Sequence, residues 1–200
     1  MSSKAFIFIG RSGCGKGTQA DLLMDYIHNT QKTDKVLHIE TGAFLREFIK
    51  GKSFTQKLTK EVVDSGGLMP EAIVVGLWVD YLFKNYTGKE ILIFDGCPRK
   101  LHETLLLDSA LQFYRVHGPT VVYVNVSRKW AEERLKARAR KDDTEEGVKK
   151  RMKWFEKDVV PTINHFRNNS YYNFLNINGE QPVEKVHEDI IGSLNLKSKS

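Results

Sequence analysis

The sequence predicts an α/β fold, a three-layer sandwich in which helices cover both faces of a five-stranded parallel sheet. Apolar runs of strand length alternate along the chain with stretches of helical periodicity. The first run, residues 5–9, is apolar at every position, which is typical of a strand buried on both faces. With 200 residues, the chain has the length of a single core domain.

Five strands are predicted from continuous apolar runs and from β-branched content. Because parallel strands are joined by crossover helices, their carboxyl ends meet at one edge of the sheet, where ligands bind in such folds. The predicted strands cover residues 5–9, 36–39, 91–94, 120–126 and 174–177.

Helices are predicted where apolar residues recur three and four positions apart. Pro70 opens one helix at a first-turn position, while Ser127 and Thr144 are predicted N-caps. The last residues, 197–200, are expected to be disordered. The predicted helices cover residues 18–28, 42–49, 54–63, 70–86, 100–117, 127–140, one long helix from 144 through 163, and 182–194.

Composition argues against several classes of protein. The longest apolar stretch, 72–83, is 12 residues long and contains Asp80, so it is too short to cross a bilayer. The apolar run that ends before Gly10, residues 5–9, has only five members, fewer than the ~7–15 of a secretory signal. Two cysteines cannot build a disulfide framework, so a cytoplasmic protein with no membrane partner is expected.

A glycine-rich loop follows the first strand and opens the first helix. It contains four glycines and a lysine, Lys16, within residues 10–18. Such a loop turns backbone N–H groups toward phosphate oxygens, the helix N-terminus adds a favourable dipole, and the lysine reaches the β- and γ-phosphates. The usual motif places Ser or Thr directly after the lysine, whereas Gly17 precedes Thr18 here.

The run Gly-Cys-Gly-Lys-Gly-Thr-Gln at 13–19 resembles the GxGKGTQ loop of adenylate kinases and related nucleoside monophosphate kinases. The family usually has a proline directly before this run, and Ser12 stands at that position here. The resemblance implies a P-loop NTPase fold with ATP as donor, Lys16 as a catalytic residue, and Thr18 and Asp95 near Mg²⁺, directly or through water. The ATP-binding residues it implies are Gly13, Cys14, Gly15, Lys16, Gly17, Thr18, Arg134, Arg138 and Gln181.

Three further segments resemble the acceptor site of that family. Residues 41–46 resemble TGDLLR, 64–70 resemble the segment that closes a helical hairpin, and 95–99 resemble DGFPR. Arg46 and Arg99 would clamp the acceptor phosphate, a task suited to the planar guanidinium fork. The AMP-binding residues implied are Thr41, Arg46, Gly67, Leu68, Met69, Gly96, Cys97, Pro98, Arg99, Glu103, Arg140 and Arg151.

A dense group of arginines lies between the fourth strand and the long helix. Taken alone, Arg134 and Arg138 fit a solvated helix face or a nucleic-acid patch. Residues 140–151, however, resemble the RxDD-N-E-E…KKRL stretch of the same family, which implies phosphate contacts. The catalytic residues implied are Lys16, Arg99, Arg138, Arg140 and Arg151.

Two details of this stretch carry further expectations. By the resemblance, Asp142 and Asp143 would orient the arginines through charge-assisted hydrogen bonds. Only Ala139 separates Arg138 from Arg140, where relatives carry a lid. A minimal lid without a zinc site is therefore expected.

The resemblance implies a single P-loop kinase domain that catalyses ATP + AMP = 2 ADP. Its partners would be ATP, AMP and ADP, with Mg²⁺ as cofactor, no nucleic acid, and a monomeric state. The alternatives are a kinase for GMP or for UMP/CMP, a nucleotide-sensing module without turnover, and an RNA-binding protein. The expected core is 1–39, 70–133 and 146–200, the acceptor insert is 40–69, and the lid is 134–145.

Glu103 departs from the family pattern, because adenylate kinases place a Gln there that reads the acceptor base. An ionised Glu can only accept hydrogen bonds, which suits two donors of guanine better than adenine. Thr41 differs from the Ala of UMP/CMP kinases. AMP is favoured over GMP as acceptor, and the alternative for Glu103 is a solvent-facing side chain.

Overall fold

The computed structural model describes residues 4–31, 35–138, 140 and 143–194. Its centre is a sheet of five parallel strands in the order β2-β3-β1-β4-β5, which confirms the predicted fold class. The predictions for Ala139, Lys141, Asp142 and the tail 197–200 lie outside the described residues. The strands are β1 (Ala5–Ile9), β2 (Val36–Glu40), β3 (Ile91–Asp95), β4 (Thr120–Asn125) and β5 (Asn173–Asn178).

The central strand β1 is buried at every position because helices pack on both faces of the sheet. Ile7 belongs to one apolar cluster, with Trp78 and Phe166 from helices on that side. Phe8 belongs to the opposite cluster, with Leu23. The period-two alternation of a strand therefore divides a continuous apolar run between two cores.

Helices fill every crossover between the described strands. Ser53 caps α3 in a capping box with Gln56, and the predicted caps Ser127 and Thr144 accept backbone N–H bonds at the starts of α6 and α7. The helices are α1 (Lys16–Gln31), α2 (Thr41–Phe48), α3 (Phe54–Asp64), α4 (Glu71–Asn85), α5 (Leu101–Phe113), α6 (Arg128–Arg138), α7 (Glu145–Trp154), α8 (Val160–Asn168) and α9 (Val183–Leu194).

The predicted helix 100–117 is too long, since α5 ends at Phe113. Arg115 adopts a left-handed backbone with φ 56°, and the N–H of Val116 turns back to the carbonyl of Leu111 at 2.9 Å. This six-to-one bond closes the helix. Val116 is then buried in the core, which is why apolar spacing alone extended the helix through it.

The single long helix predicted from 144 is also wrong, because it is interrupted by a π-helical turn at Phe155–Val159. Pro161 follows directly in the first turn of α8. Proline has no N–H and its ring clashes with the carbonyl four residues earlier, so the wider turn accommodates it. The interruption keeps Phe155 and Val159 in the core.

The topology brings the candidate residues to one edge of the sheet. The phosphate loop follows β1, the run 95–99 follows β3, and the hairpin of α2 and α3 follows β2. These strands are adjacent and parallel, so their carboxyl ends form one crevice. The proposed division into core, insert and lid stays an interpretation.

Candidate functional site

The phosphate loop wraps the start of α1, which begins at Lys16. Gly13 has φ +88°, and a methyl group built on it would lie 2.7 Å from the carbonyl of Ala131. Only glycine fits this close approach between the loop and α6. The loop therefore presents its backbone to the crevice while it packs tightly against the core.

Two cavities meet at this loop. The larger has a volume of about 850 Å³ and extends from the loop to the α2–α3 hairpin. The smaller, about 420 Å³, extends from the loop to Gln181 and Val183 at the start of α9. Both are lined by Gly13, Lys16, Gly17, Arg138 and Arg140.

Arginines from four parts of the chain line the larger cavity. Arg46 from α2 pairs with Glu40 at 2.6 Å, and Arg99 follows β3. The Nε of Arg99 donates to the carbonyl of Gly96 at 2.7 Å, which fixes the start of its guanidinium. Because Arg138, Arg140 and Arg151 complete this cationic lining, the cavity is suited to several phosphate groups.

Asp143 holds three of these arginines together. One carboxylate oxygen accepts from Nη1 of Arg151 at 2.6 Å and Nη2 of Arg138 at 2.8 Å. The other accepts from Nε of Arg138 at 2.9 Å and from the backbone N–H of Arg140 at 3.1 Å. Burial opposes ionisation, but the hydrogen bonds and charges of Arg138 and Arg151 outweigh it and lower the pKa of Asp143. The predicted orienting role of Asp143 thus has a geometric basis.

Asp95 ends β3 beside the phosphate loop. A methyl group on Gly17 would lie 3.1 Å from its Oδ2, so the carboxylate lies close beside the loop. Burial raises the pKa of Asp95, and the charge of Lys16 partly offsets this. Among the described residues, Oδ1 of Asp95 is buried without a hydrogen-bond partner. A buried, unpartnered carboxylate oxygen is a vacant acceptor for a metal-bound water.

Glu103 is neither solvent-facing nor directed into the cavity. It is 2% exposed, and its Oε2 accepts from the backbone N–H of Arg99 at 2.6 Å. Glu103 is the third residue of α5, from which a carboxylate can reach back to the N–H groups that precede the helix. The solvent-facing alternative is therefore wrong, and this contact turns the carboxylate away from a base-reading role. Burial raises the pKa of Glu103, and the hydrogen bond from the Arg99 backbone offsets only part of that increase.

The structure brings most of the predicted residues together. All the predicted ATP-binding residues line the smaller cavity. The larger cavity is lined by the predicted Arg46, Gly67, Met69, Gly96, Arg99, Arg140 and Arg151. Five predicted acceptor residues, all described, line neither cavity: Thr41, Leu68, Cys97, Pro98 and Glu103.

The hydroxyl of Thr41, one of those five, donates to the carbonyl of Gly96 at 3.0 Å. Cys97 is buried in the core below the cavity, and burial raises the pKa of its thiol well above the ordinary value. Both residues therefore support the turn that carries Arg99. Neither places its side chain in the cavity lining.

Several lining residues were not predicted. Leu45 on α2 and Ile49, directly after its end, form an apolar wall, and their spacing of four residues is the signal that could have found them. Trp154 lies three residues after Arg151 on α7, so helical spacing could have placed it on the same side. Val183 and Val186 flank the far end of the smaller cavity.

Within the ranges that the structure describes, no group of three or more His, Cys, Asp or Glu side chains is arranged to hold a metal ion. The zinc-free lid stays a prediction, since part of that segment is not described. In the same ranges, no helix combines the length and apolar character needed to cross a bilayer.

Comparison with known proteins gives a consistent result. The family model described as adenylate kinase matches residues 8–171. The chain is similar to adenylate kinase 1 of Nostoc sp., with 34% identity over 188 residues that cover 94% of this chain and 97% of the relative. It is 31% identical to the adenylate kinase of a Prochlorococcus marinus strain, over 94% of this chain and 96% of the relative. The identity to the adenylate kinase of Oenococcus oeni is 30%, over 90% of this chain and 93% of the relative.

Proposed function

The chain belongs to the adenylate kinase family, and from this premise we propose how the residues of its two cavities catalyse ATP + AMP = 2 ADP. It is a phosphotransferase that binds nucleotides. The observation that carries the proposal is the junction of the two cavities. They share Lys16, Arg138 and Arg140, so two nucleotides seated in them would direct their phosphates to the same cations.

We assign the smaller cavity to ATP. Its phosphate end is formed by the backbone of the glycine loop and by Lys16 at the start of α1, where the helix dipole favours anions. Val183 and Val186 provide apolar surface at the opposite end. Arg134, whose guanidinium lies 5.2 Å from the ring of Trp130, would contact donor phosphates.

The larger cavity then takes AMP. Leu45, Ile49, Val63 and Met69 give it an apolar wall for a base, while Arg46 and Arg99 supply cations for a monophosphate. The number of arginines argues against a sensing module, because binding alone does not need cations at the transferred group. The same concentration of arginines in an enclosed crevice differs from the open basic face with interleaved aromatics of an RNA-binding protein.

The residues beside the phosphate loop fit Mg²⁺, which adenylate kinases generally use with ATP. The ion prefers oxygen ligands and keeps most of its waters, so one hydroxyl and one carboxylate suffice. Thr18 and Asp95 would hold it, Asp95 through water at its unpartnered Oδ1. When bound, Mg²⁺ neutralises charge on the donor phosphates.

The reaction needs no covalent intermediate on the protein. The acceptor phosphate oxygen would attack the γ-phosphorus in line as the bond to the β-phosphate oxygen breaks. Alignment of two bound nucleotides can lower the barrier by roughly 7–11 kcal/mol. Arginines that neutralise the transferring group add about 10³–10⁵ in rate in related phosphotransferases. Arg138 and Arg151, whose guanidinium groups Asp143 holds, would supply that effect together with Arg140, whose backbone N–H Asp143 binds.

A coupled assay of ATP with AMP, GMP, UMP and CMP tests this assignment. The expected result is fastest turnover with AMP. Faster turnover of GMP would identify the alternative acceptor, and no turnover with any monophosphate would contradict the kinase function. A monomeric state and a cytoplasmic location stay predictions, which sedimentation and localisation experiments can check.

A further inference from the structure

Trp154 is a large side chain in the acceptor cavity for which the phosphate chemistry gives no reason. It is the last residue of α7 and is only partly buried, whereas Trp78 in the core is 3% exposed. Gly147, Arg151 and Trp154 are spaced by four and three residues, so they share one face of the helix. That face is turned to the hairpin and the cavity.

The indole contacts two parts of the acceptor site. The ζ-carbon of Arg99 lies 5.5 Å from its ring centroid, within the distance at which a cation is attracted to an aromatic face. Its Nε1–H donates to the carbonyl of Gly66 at 3.4 Å. Gly66 belongs to the segment that closes the hairpin, so Trp154 joins the hairpin to the arginine that follows β3.

The backbone brings these groups together independently of the indole. Gly66 has φ +67°, and a methyl group on it would lie 2.8 Å from the Cα of Gly147. The end of the hairpin therefore lies directly on the first turns of α7. Trp154 extends that contact to the other end of the helix and into the cavity.

We propose that Trp154 is a positioning residue of the acceptor site, which orients the Arg99 guanidinium and couples it to the hairpin. Gly96 fixes Nε of Arg99, and the ζ-carbon of the same guanidinium lies over the indole ring. Two contacts of different direction hold a planar group better than one. This inference rests on the proposed function, because it assigns Arg99 to the acceptor phosphate.

The test compares Trp154→Ala and Trp154→Phe with wild type, and Lys153→Ala serves as the control because Lys153 is an exposed neighbour on α7. Loss of both contacts in Trp154→Ala should raise KM for AMP by about 5- to 30-fold. Trp154→Phe keeps a ring against Arg99 and loses only the N–H donor, so about 2- to 5-fold is expected. KM for ATP should change by less than about twofold in all variants, since uniform loss of acceptor binding leaves the donor site intact.

Tryptophan emission gives a second readout, which a merely structural role would not move. The chain has three tryptophans, and AMP alone should change the emission of wild type and of Lys153→Ala. The change should be absent in Trp154→Phe, which is the more conservative variant and keeps the test valid if Trp154→Ala does not fold.

The possible failures are distinguishable. Wild type that phosphorylates no monophosphate would contradict the proposed function. Active wild type together with unchanged KM for AMP in both Trp154 variants would overturn the positioning role alone. Equal losses in Trp154→Phe and Trp154→Ala would overturn the contact with the Arg99 guanidinium, and an unaltered emission response in Trp154→Phe would remove Trp154 from the acceptor site.

Discussion

At the scale of single residues, Asp143 shows how one buried carboxylate can determine the geometry of a cationic site. Its side chain has no exposed surface and accepts four hydrogen bonds from three arginines. Charge-assisted bonds of this kind are about twice as strong as neutral ones. The guanidinium groups of Arg138 and Arg151 repel each other, so the carboxylate between them neutralises and orients both, while its bond to Arg140 fixes the backbone there.

Asp143→Asn should lower kcat by about 10- to 100-fold, because an amide keeps one acceptor oxygen but turns an NH₂ group toward guanidinium donors. KM for ATP should change less. Asp80→Asn is the matched control, since Asp80 forms an exposed pair with Lys84 on α4. Stopped assays with both substrates varied would measure the effect. Turnover above half of wild type in Asp143→Asn would show that the arginines do not need this anchor.

The same residue predicts the pH behaviour of the site. A carboxylate whose pKa is lowered by folding stabilises the protein above its unfolded pKa, and the contribution is lost as pH falls through the folded pKa. For an aspartate this window lies below about 3.9. The arginine network should therefore stay intact across the neutral and mildly acidic range.

Glu103 predicts the opposite trend. Burial raises its pKa in the folded state, so the folded protein binds more protons than the unfolded chain as pH rises above the ordinary glutamate pKa. Stability is then lost with rising pH through the folded pKa. Glu103→Gln keeps an acceptor for the Arg99 N–H and does not titrate. Its thermal stability relative to wild type should therefore increase as pH rises from 4.5, just above the ordinary glutamate pKa of ~4.3, to 8.

Glu184→Gln is the control for this pair of measurements, because Glu184 lies in the first turn of α9 and is exposed. The AMP-to-GMP ratio of kcat/KM should change by less than about threefold in Glu103→Gln, since its carboxylate is bound to backbone. A change of about 5- to 100-fold would instead restore the base-reading hypothesis.

At the scale of elements, the hairpin of α2 and α3 is held to α7 by a backbone contact. Gly66→Ala should weaken that contact, because its methyl group would lie 2.8 Å from the Cα of Gly147. Gly88→Ala is a matched control, since Gly88 has a similar φ of +85° but open space around it. Both variants carry about 1–2 kcal/mol of left-handed strain, and only Gly66→Ala adds a steric conflict.

Gly66→Ala should therefore show a larger fall in the free energy of unfolding than Gly88→Ala, together with a higher KM for AMP. Denaturant titration and steady-state kinetics would measure the two effects. Equal stability losses in the two variants would mean that the hairpin yields without cost and that its contact with α7 is not a determinant of the acceptor site.

At the scale of the whole molecule, the features that the sequence predicted correctly are those formed by residues close together in the chain. The glycine loop, its strand and its helix are contiguous, so β1 was predicted with its observed bounds and the helix predicted from residue 18 begins at Lys16. The π-helical turn before Pro161 did not follow, because apolar spacing in a helix and in a π turn differs by one residue. Long-range packing decides that difference.

The site shows the same division. Lys16 and Arg99 belong to contiguous motifs, and these motifs were enough to predict that both residues line the cavity. The bond between Glu103 and the backbone N–H of Arg99 was not predicted. A Glu at this position of the sequence could either read a base or cap the helix, and the sequence does not distinguish the two. Trp154 was not predicted, because its proposed role depends on a contact with Gly66, 88 residues away.

Global stability provides the last prediction, since ligand binding and folding are linked in the whole chain. Lys16 is in the phosphate loop and lines both cavities, so it contributes little to the core. Lys16→Ala should abolish detectable turnover while it lowers the melting temperature without nucleotide only slightly. Loss of a cation beside the buried Asp95 is the expected source of that small decrease.

The diagnostic quantity is the shift of the melting temperature caused by ATP. Saturation at about 100 times Kd stabilises the folded state by ~2.7 kcal/mol, which corresponds to roughly 5–10 °C for a domain of this size. That shift should be present in wild type and in Lys129→Ala, an exposed lysine on α6, and should be nearly absent in Lys16→Ala. A large fall in the melting temperature of ligand-free Lys16→Ala would instead identify Lys16 as a structural residue. A full ATP shift in that variant would locate donor binding away from the phosphate loop.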